Sequence, residues 1–449
     1  MNILTVFSCF ETLTTRTSIR QLAIIAQAML SMTGRMTMLS LSRWAGKGGS
    51  YRTIQRFFAT RLPWTQMLIK FFQTHLFNSG DEYILVGDAT TVRKAGTATH
   101  GIDRFFSSVF GKVVRGLEFF VFSLVNVRER NSSPVAVRQT IRSEAEKAAS
   151  KVRRAKLVKK GKKPKRKKLA GRPKGVPNKE RTKFAPSPEL VRINELLTSI
   201  LKMIRVFVKV KHLAMDGHFG HNQAVLMAHT NGLELISKLR SDAALYEKYE
   251  GEQHRYGRKK QYGEKIAYEK LPTKYLKQSK REGETLTNYY QAIVLGKSFA
   301  SPLNVVVIEK VNVKTGRSGH AVLFSSDLEL SWEKLVEYYS LRFQIEFNFR
   351  DAKQHFGLED FMTTTQIGVE NAANLSFMMV NLSSKLLNEQ GEKCIGINDL
   401  KSQFRGIKYA LETLKLIEPK AEMILIERVK EVIGRIGSIH RPIFSISSV

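Results

Sequence analysis

One stretch limits the fold more than any other: Tyr339-Ser-Leu-Arg342-Phe-Gln-Ile-Glu346-Phe-Asn-Phe-Arg350-Asp-Ala-Lys353, spaced Tyr-x2-Arg-x3-Glu-x6-Lys. An α-helix turns about 100° per residue. With Tyr339 at zero, Arg342 falls near ~300°, Glu346 near ~340° and Lys353 near ~320°. A continuous helix therefore gathers the four within an arc of roughly 60°. One carboxylate then stands among a phenol, a guanidinium and an ammonium, which is what a metal-dependent site handling phosphate requires. Arg350 lies within about 20° of Tyr339 and can join the phosphate grip. The plainer reading is a solvated helix face with an ordinary i,i+4 pair between Arg342 and Glu346. The rest of the chain has to decide between them.

Charge is the first arbiter. Lys plus Arg number 73 against 40 acids, a net of +33 over 449 residues. A field of that sign favours a polyanion, nucleic acid first, and a membrane surface second. No apolar run is long enough to span a bilayer. The N-terminus has no basic n-region and carries Glu11 early, unlike a secretory signal. Cys9 and Cys394 are far apart and form no C-x-x-C, so disulfide frameworks and the usual zinc spacings are excluded. Any metal has oxygen ligands, which selects Mg²⁺ or Mn²⁺. The scarcity of cysteine fits a reducing compartment.

Residues 1–78 read as a helical DNA-binding region. Ser18 is placed to cap one helix and Ser50 a second, with the turn Gly46-Lys-Gly-Gly49 before it. Arg52 and Arg56 lie one turn apart on that second helix, which suits a helix entering a DNA groove. The chain then changes to strands: Tyr83-Ile-Leu-Val-Gly-Asp88, Gly116–Val125 and Pro134–Arg138. Residues 79–239 are read as an α/β core, interrupted by a basic arm over 145–186. Within the arm, residues 151–184 hold 17 Lys/Arg and one acid, Glu180. Ala170-Gly-Arg172-Pro-Lys174-Gly is similar to an AT-hook core, and Arg172 and Lys174 are expected on a minor groove or on phosphates. A β-rich insertion is expected over 240–327. Residues 328–362 carry a helix from Trp332 to Lys353, and 363–449 form a helical region suited to dimerisation.

Two further carboxylates stand at strand ends. Asp88 closes the first apolar run, and Asp216 closes Lys211-His-Leu-Ala-Met. An Asp there is commonly a turn former or cap. If Asp88, Asp216 and Glu346 converge, they can hold two divalent ions roughly 4 Å apart for in-line attack on a phosphodiester. Asp81 and Asp103 end no apolar strand. His218, His221 and Asn222 are read as loop residues beside the site, not as ligands.

With these residues on the page, the chain resembles the IS4-family DDE transposases. Tyr339, Arg342, Glu346 and Lys353 match that family's signature without a gap, and Asp88 and Asp216 fall where its aspartates stand. The resemblance covers about residues 15–420. It implies an RNase H-like catalytic core with a β-rich insertion before the Glu-bearing helix. It implies cut-and-paste movement of an insertion sequence by a homodimer on DNA, acting on terminal inverted repeats and target DNA. It implies Tyr339, Arg342 and Lys353 on phosphates near the cut. Two features depart from the family. Asp216 is followed by Gly-His-Phe-Gly-His, without the family's frequent Arg-Glu. The insertion has no tryptophan, so the base-holding role of hairpin-forming members falls to a Tyr. Two other readings share much of this evidence: a metal-dependent nuclease without strand transfer, and a transposase-derived DNA-binding protein without activity.

Overall fold

The computed structural model describes residues 2–107, 109–160, 180–391, 396–414 and 433. Arg172 and Lys174, with the centre of the basic arm, lie outside them, as does most of the helix expected over 420–436.

The chain opens on five helices: α1 (Ile3–Val6), α2 (Arg16–Ser31), α3 (Met38–Ala45), α4 (Tyr51–Ala59) and α5 (Trp64–His75). Ser50 caps α4, accepting from the Thr53 N–H. Thr15, rather than Ser18, caps α2; Ser18 donates its N–H to the Thr15 hydroxyl. Between α3 and α4 the backbone reverses through Gly46 and Gly48 at φ +69° and +85°, values that L side chains rarely adopt.

Four strands follow: β1 (Tyr83–Arg93), β2 (Asp103–Ser107), β3 (Lys112–Asn126) and β4 (Asn131–Gln139). Next come α6 (Glu144–Lys160), α7 (Pro188–Ile204), β5 (His212–Met215), α8 (Asn222–Thr230) and β6 (Glu234–Leu239). The strand-rich segment contributes β7 (Leu245–Lys248), β8 (Tyr262–Lys265), β9 (Leu276–Glu282), β10 (Thr285–Gly296), β11 (Leu303–Asn312) and β12 (Ser318–Ser325). The described chain closes with α9 (Trp332–Leu341), α10 (Gln344–Gln354), α11 (Gln366–Gln390) and α12 (Ile397–Leu414).

The strands form one mixed sheet in the order β2-β3-β1-β5-β6-β12-β11-β10-β7-β8, with β4 also on β3 and β9 on β10. β5 runs parallel to both β1 and β6, and the other pairings are antiparallel. The segment expected as an insertion is thus continuous with the central sheet, joined through β12 on β6. Its two faces are covered by different helices. Ile84, Val86, Leu117, Phe119 and Val121 pack with Ile345, Phe349 and Phe377 of α10 and α11. Leu85, Phe120, Phe122 and Met215 pack with Leu197 and Ile200 of α7 on the other side. Burial on both faces explains why β1 reads as an unbroken apolar run rather than an alternating one.

Two expectations are corrected. β1 does not end at Asp88 but continues to Arg93, because Asp88 to Arg93 pair with Val121 to Gly116 of β3. The helix expected from Trp332 to Lys353 is two helices. At Arg342–Phe343 the bonding tightens to i→i+3, with Phe343 N–H on Ser340 O (3.1 Å) and Glu346 N–H on Phe343 O (3.0 Å). No helix among the described residues is long and apolar enough to cross a membrane.

One buried amide ties the N-terminal helices to the C-terminal part. Asn371 of α11 accepts from Trp64 Nε1 (2.7 Å) and donates to the carbonyls of Phe58 (2.9 Å) and Thr60 (2.8 Å) at the α4–α5 junction. Asn371→Ala leaves an indole N–H and these carbonyls without a partner. We expect a loss of about 2–4 kcal/mol, read as a lower urea midpoint.

Candidate active site

Register places the first two carboxylates. Gly87 of β1 lies beside Met215 of β5 in parallel pairing, so Asp88 and Asp216 follow at equivalent positions on neighbouring strands. Strand alternation puts Asp88 on the face shared with Val86, and Asp216 on the face shared with Ala214; both neighbours belong to the core under α10. The first turn of α10 carries Glu346 over that face. Asp88 senses both other carboxylates: burial pushes its acid up to about 7, the Arg342 guanidinium opposes this, and Asp216 and Glu346 add to it. Three acids from three separated elements therefore share one electrostatic neighbourhood.

Arg342 is the nearest counter-ion. Its Nη1 stands 2.9 Å from Asp88 Oδ2, with both side chains largely buried. The other oxygen, Oδ1, accepts from the Ala89 N–H at 2.8 Å. The guanidinium lies 5.7 Å from the Tyr339 ring centre, and its Nε is buried with no hydrogen-bond partner. Burial raises the Tyr339 phenol, Arg342 lowers it, and Asp216 and Asp88 raise it further. Asp216 caps the next turn, its Oδ1 accepting from the His218 N–H, while its carbonyl accepts from Ser237 Oγ at 2.7 Å.

Lys353 completes the group. Its ammonium donates to the Thr91 carbonyl at 3.0 Å, three residues beyond Asp88 on β1. Burial lowers its pKa against the pull of Glu359 and Glu346. The structure therefore brings together Asp88, Asp216, Glu346, Tyr339, Arg342 and Lys353. Arg350 is turned outward: it pairs with Asp351 at 2.8 Å and stacks on Phe347. Arg52 and Arg56 are exposed on α4, whose other face is buried through Ile54, Phe57 and Phe58.

The remaining polar candidates have structural partners. Asp81 pairs with Arg128 and Asp103 with Arg142. His221 caps α8. Asn222 bridges Arg181 O and the Ala300 N–H. His218 pairs with Glu189 at 3.2 Å. Sequence reasoning missed Phe343 and Phe347, an edge-to-face pair 54% and 38% exposed on either side of Glu346. The signal was available: the two are i,i+4 neighbours on the helix that bears Glu346.

The donor chemistry fits a hard divalent cation, since all three acids offer carboxylate oxygens. The arrangement does not yet gather them: among the described residues no three His, Cys, Asp or Glu side chains stand close enough to hold one ion. Arg342 occupies the Asp88 oxygen that an ion needs.

A family described as DDE superfamily endonuclease matches the chain over residues 6–292, more than half of its length. The match takes in Asp88 and Asp216 and stops before Glu346. No curated protein matches the chain.

Because the Asp88 acid is held at about 7, it is protonated below that pH and would have to lose a proton before it could bind a cation. Mn²⁺ affinity, read from the free-ion electron paramagnetic resonance signal, is expected to fall about tenfold per pH unit below 7. Asp88→Asn flattens that profile and weakens binding throughout.

Proposed function

This chain belongs to the DDE superfamily endonucleases, a family that cleaves DNA with divalent metal ions, and we propose that it is a transposase of the IS4 type. It binds the terminal inverted repeats of an insertion sequence, cuts them and joins them to target DNA. What supports this reading is that Asp216 and Glu346 both act on the Asp88 acid, that Arg342 pairs with Asp88 beside the Tyr339 ring, and that Lys353 donates to the same strand. An RNase H-like core accounts for the parallel β1–β5 pair and the helix laid across its face.

In this reading Asp88, Asp216 and Glu346 would hold two Mg²⁺ or Mn²⁺ ions, which would supply activation of the attacking water or 3′-hydroxyl and charge neutralisation at the leaving oxygen. The chain's own residues position the DNA. Arg342 is poised to pass from Asp88 to the phosphate, which offers it two oxygens in the fork geometry it prefers. Lys353, anchored by one N–H on Thr91, has two further donors for a phosphate oxygen. Tyr339 extends the grip, whereas Arg350, turned outward onto Asp351 and Phe347, does not. Phe343 and Phe347 give an unpaired end base an aromatic face to stack on. Trp332, at the start of α9, lies against Tyr289 of β10, ring centres 4.9 Å apart. Tyr289 is thus an aromatic of the strand-rich segment in contact with α9.

Arg52 and Arg56 on α4 bind the inverted repeat, and Arg172 and Lys174 of the basic arm add phosphate or minor-groove contacts. Joining two ends at once calls for a homodimer on DNA, and the protein works in the cytoplasm with the chromosome.

A nuclease without strand transfer uses the same acids. Incubating the protein with Mg²⁺, labelled DNA ending in the repeats that flank its gene, and a circular target separates the two. Joined products support transposition, whereas hydrolytic nicks alone leave the nuclease. In the same assay Glu346→Gln is expected to reduce cleavage by a factor of about 10³ or more while DNA affinity stays within about threefold, since it removes a metal ligand and no DNA-facing cation. Cleavage near the wild-type rate would remove Glu346 from the site.

A further inference from the structure

The catalytic reading leaves one built feature unused. β2 and the first residues of β3 form a two-stranded ribbon, in register from Asp103 opposite Gly116 to Ser107 opposite Lys112. β1 stops at Arg93, also opposite Gly116, so the ribbon runs on past its end.

The two sides of this ribbon differ. One is packed: Phe105 and Val114 are buried, and the Arg142 guanidinium lies 4.4 Å from the Phe105 ring centre. The other side pairs Arg104 with Arg115 and Phe106 with Val113. Both arginines are exposed, and Phe106 and Val113 are 61% and 52% exposed. Like charges directly opposite each other destabilise a sheet, and an open apolar pair gains nothing in water. No ion pair among the described residues reaches either guanidinium. Lys112 and Arg93 add charge nearby, the latter over Phe110. Folding alone gives no reason for this side, whereas an anionic partner with an apolar floor does.

The ribbon is also tied to the active site. Antiparallel partners share a face, and steps of two along β3 lead from Val113 and Arg115 to Val121, the partner of Asp88. The Phe106 carbonyl accepts from Thr91 Oγ1 at 3.1 Å, and Thr91 O holds Lys353. Between Val113 and Val121 the strand spans at most ~26 Å, about eight base pairs of duplex.

We propose that this ribbon side is a DNA-binding surface that enters a groove of the duplex leading away from the active site. A major groove admits a two-stranded ribbon. Arg104 and Arg115 meet phosphates, and Phe106 and Val113 lie against the apolar edge of the groove. This rests on the reading of the chain as a DNA-cutting enzyme.

The test uses the full chain in Ca²⁺, without cleavage, on duplex DNA carrying the flanking repeats. Affinity is measured over a range of salt concentrations. Arg104→Ala with Arg115→Ala is expected to weaken binding at least tenfold and reduce the salt slope by about 2, and the double Lys variant to restore the slope. Phe106→Ser is expected to weaken binding several-fold with the slope unchanged. Unaltered slope and affinity in all variants, with strong binding by the wild-type protein, overturn the inference and leave the catalytic reading standing. Loss of dimer by light scattering in Phe106→Ser, with DNA affinity intact, overturns it in favour of contact between two copies. A wild-type protein that binds no DNA overturns both readings.

Discussion

The parallel pairing of β1 with β5 is the constraint on which the rest depends. It alone carries Asp216 to the side of Asp88 across a long separation in sequence. Parallel neighbours need a crossover, and the connection here includes β2, β3, β4, α6 and α7, of which β3 pairs with β1 and α7 packs on Leu213 and Met215 of β5. A one-residue slip of β5 would turn Asp216 to the opposite face, toward α7 and away from Glu346. The register is held by burial on both sides, with Ala214 in the core beneath α9 and α10 and Leu213 and Met215 facing α7.

Once the two aspartates are neighbours, electrostatics dictates what surrounds them. Acids drawn together under apolar helices resist ionisation, and the rise of Asp88 to about 7 expresses that resistance. Arg342 offsets part of it by direct contact. The turn at Arg342–Phe343, where the helix tightens to i→i+3 bonding, coincides with the residue that makes this contact. Lys353 donates to Thr91 O at 3.0 Å and lies 3.9 Å from Glu359. Both cations of the signature are thus tied to β1, Arg342 through the Asp88 carboxylate and Lys353 through a carbonyl three residues on.

Much of this was legible in the residues. The apolar run before Asp88 and the Ser50 cap correspond to observed elements, and Arg342 does lie beside an acid, although that acid is Asp88 and the helix bearing the four signature residues is broken between Tyr339 and Glu346. What was not legible arose from tertiary contact. Residues 340–346 are all compatible with a continuous helix, so nothing local announces the break. Asp88 looked terminal because the run after it is polar, yet pairing with β3 carries β1 on to Arg93. The β2–β3 ribbon escaped notice because its alternation is short and its exposed positions mix apolar Phe106 and Val113 with Arg104 and Arg115. The pairing of β12 with β6 joins segments far apart in sequence, which no local pattern encodes. Arg172 and Lys174 lie beyond the described residues.

If the three acids hold cations and Arg342 holds a DNA phosphate, as proposed, the same charges make substrate and cation depend on each other. Arg342 has one guanidinium and two claimants, the Asp88 carboxylate and the phosphate of a bound DNA end. While Arg342 serves Asp88, the carboxylates are partly neutralised and the oxygen facing it is unavailable. A phosphate that takes Arg342 leaves three neighbouring acids without that counter-charge and adds negative charge of its own. Both changes raise the affinity of the site for divalent cations. By linkage, divalent cations bound among the acids must raise the affinity for DNA by the same factor. Neither has to bind tightly alone, and a site arranged this way stays poorly assembled until the end to be cut is in place.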